Sequence, residues 1–404
     1  MTSSQINILL YLLAAIPARI VTGGAAVATI LLARSSGMDG KIAGLMAACL
    51  TAPHILGPLY GRWLDSVSNP RVILTSACLL FFASFQCAIS GFEIKSLLLT
   101  ILPLLICGMC SSFMMGGLST QVVKLVGDDI TETRKAQSWD TLTYGLGLTV
   151  GPLMTALLVE HFAISTSVRM LTSTAILAGL LVLFLPLKMN SSKNAEHAAA
   201  SIASVIHILG QSGPLKRTLL MTSGAAFSLA ALPVVAVYLS ESWKQSAEGG
   251  AYMVTSYGVG CLCGAIILIL RPLRSEALLL LRNVGAVLLV TLLIVALSRS
   301  FTVGLASYWL CGVVNAVFFA VTLAARSNYA PKHGAAQIYM WVAAAKISFA
   351  SLGAFVAGLL VDVALQLPLI TSMGILLVSL LVSFAIPGGI FRIRRLRSSR
   401  HDTQ

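Results

Sequence analysis

The sequence contains very few charged residues. Only 10% of its 404 residues are Asp, Glu, Lys or Arg, whereas 57% are hydrophobic. A water-soluble domain carries charge on about a quarter of its residues. The composition, with a mean hydropathy of +0.91, therefore excludes a soluble enzyme or a soluble binding module as the main body of the protein.

Motifs for several other functions are also lacking. The sequence has no HExxH zinc motif, no nucleophile motif and no Walker-type glycine loop, which disfavours a membrane-embedded enzyme and a nucleotide-driven pump. The net charge of +13 is spread over short loops and does not form a basic face on a soluble domain. We therefore expect no enzymatic activity, no cofactor, no metal and no nucleic-acid partner.

Long apolar runs fill the chain instead. A bilayer core about 30 Å thick requires about 20 apolar residues for each helix, and runs of that size recur between short polar breaks. The twelve predicted transmembrane helices cover residues 6–33, 42–61, 72–92, 97–121, 138–160, 168–187, 218–240, 248–270, 278–298, 302–325, 337–361 and 367–389. The sequence thus predicts an all-α, multi-pass membrane protein.

The loops predict its orientation. The first run has no preceding basic segment and is longer than the apolar region of a signal peptide, so we expect it to remain in the membrane. Lys and Arg concentrate in alternate loops and in the tail, for example at Arg392, Arg394 and Arg395. This bias places both termini in the cytoplasm. We expect a monomer in contact with membrane lipid, most simply in the plasma (inner) membrane of a bacterium.

The longest polar break divides the runs into six and six. Residues 188–217 form a predicted cytoplasmic loop between an N-terminal bundle, 1–187, and a C-terminal bundle, 218–404, that carries the basic tail. The fourth and tenth runs share a Cys-Gly start and a basic exit. Such internal repetition is typical of transporters with their site between two related halves.

Small residues four positions apart favour close helix contact in lipid. These pairs occur in the second, fifth, eighth and eleventh runs, which are the equivalent helices of each three-helix unit: Gly57/Gly61, Gly147/Gly151, Gly260/Gly264 and Ala354/Gly358.

A family resemblance lies between the second and third runs, in GPLYGRWLDSVSNPRVIL. This segment resembles the cytoplasmic signature of the major facilitator superfamily through Gly61, Asp65 and the displaced Arg71. The resemblance implies two pseudo-symmetric six-helix bundles and a cytoplasmic gate at these three residues. Gly61 would allow close helix contact, and Asp65 would meet the N-terminal end of the eleventh helix.

The fifth run contains GLGLTVGPLMTALL. Its Gly147, Gly151 and Pro152 are similar to the motif of the exporting, antiporter branch of the superfamily. Glycine and proline weaken a helix, so the resemblance implies a hinge here. The fourth run has Leu104 about where drug/proton antiporters of the family carry an arginine.

Two basic residues lie deep in the apolar runs. Arg19 is near the middle of the first run and Lys346 is inside the eleventh, whereas Asp140 and the other nearby acidic residues fall at the predicted helix ends. Burying an unpaired ion costs several kcal/mol. We therefore expect a hydrated midplane cavity in which both cations bind an anionic solute. The alternatives are that backbone carbonyl groups satisfy them or that Lys346 is deprotonated. Asn315 and Tyr144 are further candidates for contact with the substrate.

These features predict a secondary transporter that works by alternating access. The leading hypothesis is efflux of a small organic compound or drug in exchange for protons. The alternative is an importer or exchanger of organic anions that uses Arg19 and Lys346. A receptor built on a transporter scaffold stays open as a third possibility.

Overall fold

The described residues of the protein form twelve helices that pack against one another. The computed structural model describes residues 3–126, 130–187, 210–246, 248–270, 275–329 and 335–386. In chain order the helices are α1 (Ser3–Ser35), α2 (Gly40–Thr51, Ala52–Leu56 and Gly57–Ser66), α3 (Pro70–Glu93), α4 (Leu97–Ser112, Phe113–Gly117 and Leu118–Val126), α5 (Ile130–His161), α6 (Ile164–Leu183), α7 (Gly213–Ala230 and Leu232–Ser242), α8 (Gly249–Leu270), α9 (Ala277–Ala296), α10 (Phe301–Tyr329), α11 (Ala335–Val361) and α12 (Leu367–Ala385).

Eleven of these helices in the described ranges are long and apolar enough to cross a membrane, and α2 supplies a shorter apolar helix over Gly40–Leu56. The predicted all-helical fold with two six-helix bundles is therefore confirmed. The predicted division at residues 188–217 falls mostly on positions 188–209, which lie outside the described residues, as does the tail from 387. The exact bundle boundaries stay a prediction.

Local sequence sets the helix ends. The side chains of Asp39, Asn69, Ser96 and Ser212 each accept a hydrogen bond from a backbone N–H in the first turn of the helix that follows. Such caps satisfy backbone donors that have no partner within the helix. Short polar turns can therefore reverse the chain between spans.

Three helices change their backbone geometry part way along. α2 passes through a 3₁₀ segment, Ala52–Leu56, that includes Pro53. α4 contains a π-helical turn over Phe113–Gly117, and α7 is divided between Ala230 and Leu232. Proline and altered hydrogen-bond registers are the ordinary causes of bends in helices.

Glycines allow close backbone contact at most of the predicted small pairs. A Cβ added at Gly260 would lie 2.0 Å from the carbonyl oxygen of Trp309 on α10, and one at Gly358 would lie 2.5 Å from the Cα of Gly44 on α2. Those contacts are possible only without side chains. The Gly147/Gly151, Gly260/Gly264 and Ala354/Gly358 predictions are confirmed.

The pair in α2 behaves differently. No atom of the described residues lies within 4 Å of a Cβ built on Gly57 or Gly61, whereas Gly40 and Gly44 contact α11. Most side chains at the start of α11, the expected partner of Gly61, lie outside the described residues, so close contact at Gly61 stays a prediction. A 3₁₀ segment follows Thr51 and precedes the part of α2 that carries Gly57 and Gly61.

Candidate transport site

Arg19 is the most buried charged side chain in the described structure. It lies at the middle of α1, is 1% exposed, and its Nη2 lies 3.0 Å from Oδ1 of Asp140. The same nitrogen donates a hydrogen bond to Ser119 Oγ on α4 at 3.0 Å. The guanidinium therefore has both a counter-charge and a neutral acceptor.

The expectation that Arg19 has no carboxylate at its depth is wrong. The predicted fifth run begins at residue 138, which would put Asp140 at a helix end. The helix α5 begins earlier, at Ile130, so Asp140 is the eleventh residue of the helix and is buried. A search for apolar runs does not detect this N-terminal part of α5, because the segment before residue 138 is polar.

Two tyrosines complete the polar cluster around this ion pair. The guanidinium carbon of Arg19 lies 3.7 Å from the centre of the Tyr144 ring, a cation–π contact, and the hydroxyls of Tyr144 and Ser119 are 2.9 Å apart. Tyr11 donates a hydrogen bond to Asp140 Oδ1 at 2.5 Å. Sequence reasoning singled out Tyr144 but missed Tyr11 and Ser119.

One signal could have paired Asp140 with Tyr144. Residues four apart share one face of a helix, so both side chains project from α5 towards α1. The sequence offers no comparable signal for Tyr11 or Ser119, because their proximity depends on how α1 and α4 pack.

The glycines of α5 bring its backbone against α1. A Cβ at Gly147 would lie 2.5 Å from the carbonyl oxygen of Arg19, and one at Gly23 would lie 2.1 Å from the carbonyl oxygen of Gly147. Gly151 meets Gly24 in the same way. The backbone contact holds α1 close enough for Arg19 to reach Asp140. α5 runs unbroken through Pro152, and its role as a hinge stays a prediction.

Lys346 lies in the other bundle and has a different environment. Its Nζ is 4.0 Å from the centre of the Phe319 ring on α10. Within the described ranges no carboxylate forms a salt bridge with Lys346, and Arg326 is close enough to interact with it electrostatically. Lys346 thus has an aromatic ring as its favourable contact, and the electrostatic effect of Arg326 on its ammonium is unfavourable.

Asn315 belongs to the same region of the C-terminal bundle. Its Nδ2 lies 3.9 Å from Cys261 Sγ on α8, and Cys261 also lies near Lys346. The structure therefore brings the predicted residues together as two groups, Arg19 with Tyr144 and Lys346 with Asn315.

The two groups lie on either side of the contact between α5 and α8. A Cβ at Gly145, next to Tyr144, would lie 2.5 Å from a methyl carbon of Leu262, next to Cys261. In the part of the chain that is described, no direct contact joins Arg19 to Lys346. A shared hydrated chamber between them stays a prediction.

The predicted cytoplasmic gate is only partly described. Arg71 donates a hydrogen bond from Nη2 to the carbonyl oxygen of Leu187 at 2.8 Å, which joins the start of α3 to the segment that follows α6. The side chain of Asp65 lies outside the described residues. A gating role for Gly61, Asp65 and Arg71 stays a prediction.

Polar contacts join the two bundles at the opposite end, where α1 ends and α2 begins; we call it the Arg34 end. Arg34 Nη2 lies 2.7 Å from Glu241 Oε2 on α7, and the Tyr252 hydroxyl donates to Glu160 Oε2 at 2.9 Å. Asp362, directly after the end of α11, accepts a hydrogen bond from the backbone N–H of Gly40. These contacts tie α1, α2 and α5 to the C-terminal bundle.

Several solved structures of membrane transporters are similar to this chain in fold. The nucleoside transporter NupG has a TM-score of 0.72 at 12% identity, covering 96% of this chain and 99% of its own. A POT family transporter in complex with 5-aminolevulinic acid has a TM-score of 0.73 at 13% identity, covering 94% and 95%. The human organic anion transporter TETRAN has a TM-score of 0.66 at 14% identity, covering 95% and 100%.

A direct sequence comparison with curated proteins gives no match. Because the solved structures share so little sequence identity with this chain, their similarity supports the fold and not a particular activity. The model of the Major Facilitator Superfamily, however, matches residues 11–346, a segment that includes Arg19, Asp140 and Lys346. With the sequence signature around Gly61, the twelve-helix fold and this match, the chain belongs to the major facilitator superfamily of membrane transporters.

Proposed function

We propose that the protein exports a small organic compound in exchange for protons, by alternating access, and that Arg19 and Asp140 form its proton-sensitive site. The observation that carries the proposal is the buried salt bridge between these two residues. A proton taken up by Asp140 would remove the counter-charge of Arg19. Because Asp140 is on α5 and Arg19 is on α1, this would weaken the attraction between the two helices.

The energetics of a buried pair support this role. Removing one partner of a buried ion pair costs about 3–5 kcal/mol because the other charge is left unpaired. Protonation of Asp140 would incur a similar cost unless Arg19 gains water or an anionic group. Proton binding therefore favours a state in which α1 and α5 have moved or substrate has entered, and this is the coupling that exchange requires.

The closed Arg34 end supports alternating access. If the N-terminus is cytoplasmic, as the loop charges predict, the contacts at Arg34, Gly40 and Tyr252 seal the outer side of the protein. Asp65 and Arg71 would then act at the cytoplasmic side, with Gly147, Gly151 and Pro152 allowing α5 to bend between states.

Proton movement is the most direct test, because it needs no labelled substrate. Proteoliposomes loaded with a fluorescent pH indicator would be exposed to a panel of nucleosides, amino acids, organic acids and cationic drugs. We expect at least one compound to evoke proton flux with the unmodified protein and none to do so with Asp140→Asn.

Glu160→Gln is the matched control, since Glu160 also accepts a hydrogen bond from a tyrosine but lies at the Arg34 end. This variant is expected to retain the response. Proton flux that persists in Asp140→Asn, or that is lost equally in Glu160→Gln, would contradict the assignment of Asp140.

A second candidate function is exchange of organic anions without protons, which the environment of Lys346 favours. Its ammonium has no salt bridge to a carboxylate of the described residues, so a substrate carboxylate would supply the counter-charge. Asn315 would donate a further hydrogen bond. Arg19, already paired with Asp140, contributes less to such a site than its charge suggests.

Counterflow distinguishes the two functions. If an anion on the far side of the membrane accelerates uptake with no pH gradient, and Lys346→Gln abolishes this while Asp140→Asn does not, then anion exchange is the function. Strict dependence on a pH gradient would favour the proton-coupled exporter. We expect Lys346→Gln to weaken binding of acidic compounds in either case.

A further inference from the structure

Arg282 is a charged residue in an apolar helix that the transport site does not use. It is the sixth residue of α9, about 8 Å along the helix from its start at 1.5 Å per residue. Its guanidinium carbon lies 4.6 Å from the centre of the Phe384 ring on α12. Arg282 therefore lies at the seam between α9 and α12, near the end of the bundle at which α1 begins.

This guanidinium has no counter-charge in the described structure. None of the salt bridges between described residues involves Arg282, and its Nε is buried without a hydrogen-bond partner in those ranges. The acidic residue at the start of the helix, Glu276, accepts from the Tyr329 hydroxyl at 3.2 Å. A cation near lipid that lacks a carboxylate requires another anion or water.

The surroundings of Arg282 face the membrane. The next residue, Asn283, is exposed on the outer surface of α9. The apolar side chains beside it are also open: Leu279 is 42% exposed, Leu381 58% and Phe384 57%. A guanidinium and a carboxamide thus present hydrogen-bond donors next to a surface suited to acyl chains.

The N-terminal bundle shows that the fold does not need an arginine here. Thr75 is also the sixth residue of its helix, α3, and it contacts the equivalent neighbour, α6, through a hydrogen bond to the carbonyl oxygen of Gly179 at 3.4 Å. A neutral hydroxyl is sufficient to join α3 to α6. The positive charge at Arg282 therefore has a purpose other than joining two helices.

We infer that Arg282 and Asn283 bind the headgroup of an anionic phospholipid. The phosphate would accept hydrogen bonds from the guanidinium and the carboxamide, and the acyl chains would lie against Leu279, Leu381 and Phe384. An anionic lipid is favoured over a zwitterionic one, because the cationic group of a zwitterionic headgroup already balances its phosphate. The site is separate from Arg19, Asp140 and Lys346, and it does not rest on the proposed function.

Native mass spectrometry of the full chain tests the site. Detergent-purified protein would be titrated with phosphatidylglycerol and, separately, with phosphatidylcholine. We expect phosphatidylglycerol to bind more tightly, and Arg282→Gln to weaken its binding about fivefold, as expected for loss of about 1 kcal/mol from one basic residue at the membrane surface. Arg299→Gln, which removes an exposed arginine just beyond the other end of α9, is the matched control and is expected to bind normally.

A second variant guards against a folding defect. Asn283→Leu replaces an exposed side chain, so it should fold as the unmodified protein does and still weaken phosphatidylglycerol binding. Equal binding of the two lipids, unchanged binding in both Arg282→Gln and Asn283→Leu, or an equal loss in Arg299→Gln would each overturn the proposal.

Discussion

At the scale of single residues, the pairing of Arg19 with Asp140 changes what the sequence implies about the site. Two unpaired cations were expected. The structure instead pairs Arg19 with a carboxylate in one bundle, whereas Lys346 in the other bundle forms no salt bridge with a carboxylate among the described residues. Under the proposed function the first would take up a proton, and under the alternative the second would bind an acidic group of a substrate. The proposals thus give different chemistry to the two halves of a pseudo-symmetric fold.

A double-substitution cycle measures the pairing. We expect Arg19→Gln and Asp140→Asn each to lower the free energy of unfolding by about 3–5 kcal/mol, because each leaves one buried charge unpaired. The double variant removes both charges, so its loss should be smaller than the sum of the two single losses. Reversible denaturation in mixed detergent micelles provides the measurement. Additive losses would mean that the two side chains do not form a pair in the folded protein.

The sequence located both deep cations but not the partner of one of them. Arg19 and Lys346 are conspicuous because charge is rare inside apolar runs, whereas Asp140 lies in a polar stretch of α5 that resembles a loop. The sequence analysis did not single out Arg282, because it lies near the start of an apolar run, where a charged residue is expected to reach the membrane surface. Whether a charged residue is recognised as buried depends on its distance from the helix end, and composition defines helix ends poorly.

At the scale of helices, small residues determine which faces meet. The α1–α5 contact depends on Gly23, Gly24, Gly147 and Gly151, and three of four glycine or alanine pairs were predictable from their spacing. The fourth pair, Gly57/Gly61, follows a 3₁₀ segment in α2 and has no such contact with a described residue, so it stays a prediction. The spacing of small residues does not reveal an interruption of this kind.

Substitution of Gly147 by alanine tests this contact. The added Cβ would lie 2.5 Å from the carbonyl oxygen of Arg19, so α1 and α5 must separate. Overpacking of this kind costs about 1–3 kcal/mol, and we expect a lower melting temperature together with reduced transport.

Gly374→Ala on α12 is the matched control, because no described atom lies within 4 Å of its new Cβ. Alanine is favoured over glycine in a helix by about 1 kcal/mol, so this variant should melt at the same temperature or higher. If Gly147→Ala were as stable and active as Gly374→Ala, then the α1–α5 backbone contact would not be required.

At the scale of the whole molecule, the fold was predictable and its conformational state was not. Each apolar run must be a helix, because a span in lipid has to satisfy its own backbone hydrogen bonds. The central polar break then divides the twelve predicted helices into two bundles. The contacts that join the bundles at the Arg34 end involve Glu241 and Asp362, residues distant in sequence. Nothing in local composition predicts which end of such a molecule is closed.

Charge reversal at Arg34 tests whether the salt bridge with Glu241 holds that end closed. Arg34→Glu would place two carboxylates together, near Asp39 and Asp362, and repulsion should separate the bundles there. Spin labels introduced at Lys95 and Arg299, which are exposed and belong to different bundles, would report the separation. We expect a longer distance distribution in Arg34→Glu and a return towards the original one in the Arg34→Glu, Glu241→Arg double variant, because the double variant restores opposite charges. If the distances in the single variant match those of the unmodified protein, then the salt bridge does not close the Arg34 end, and the glycine contacts between α2 and α11 are sufficient to do so.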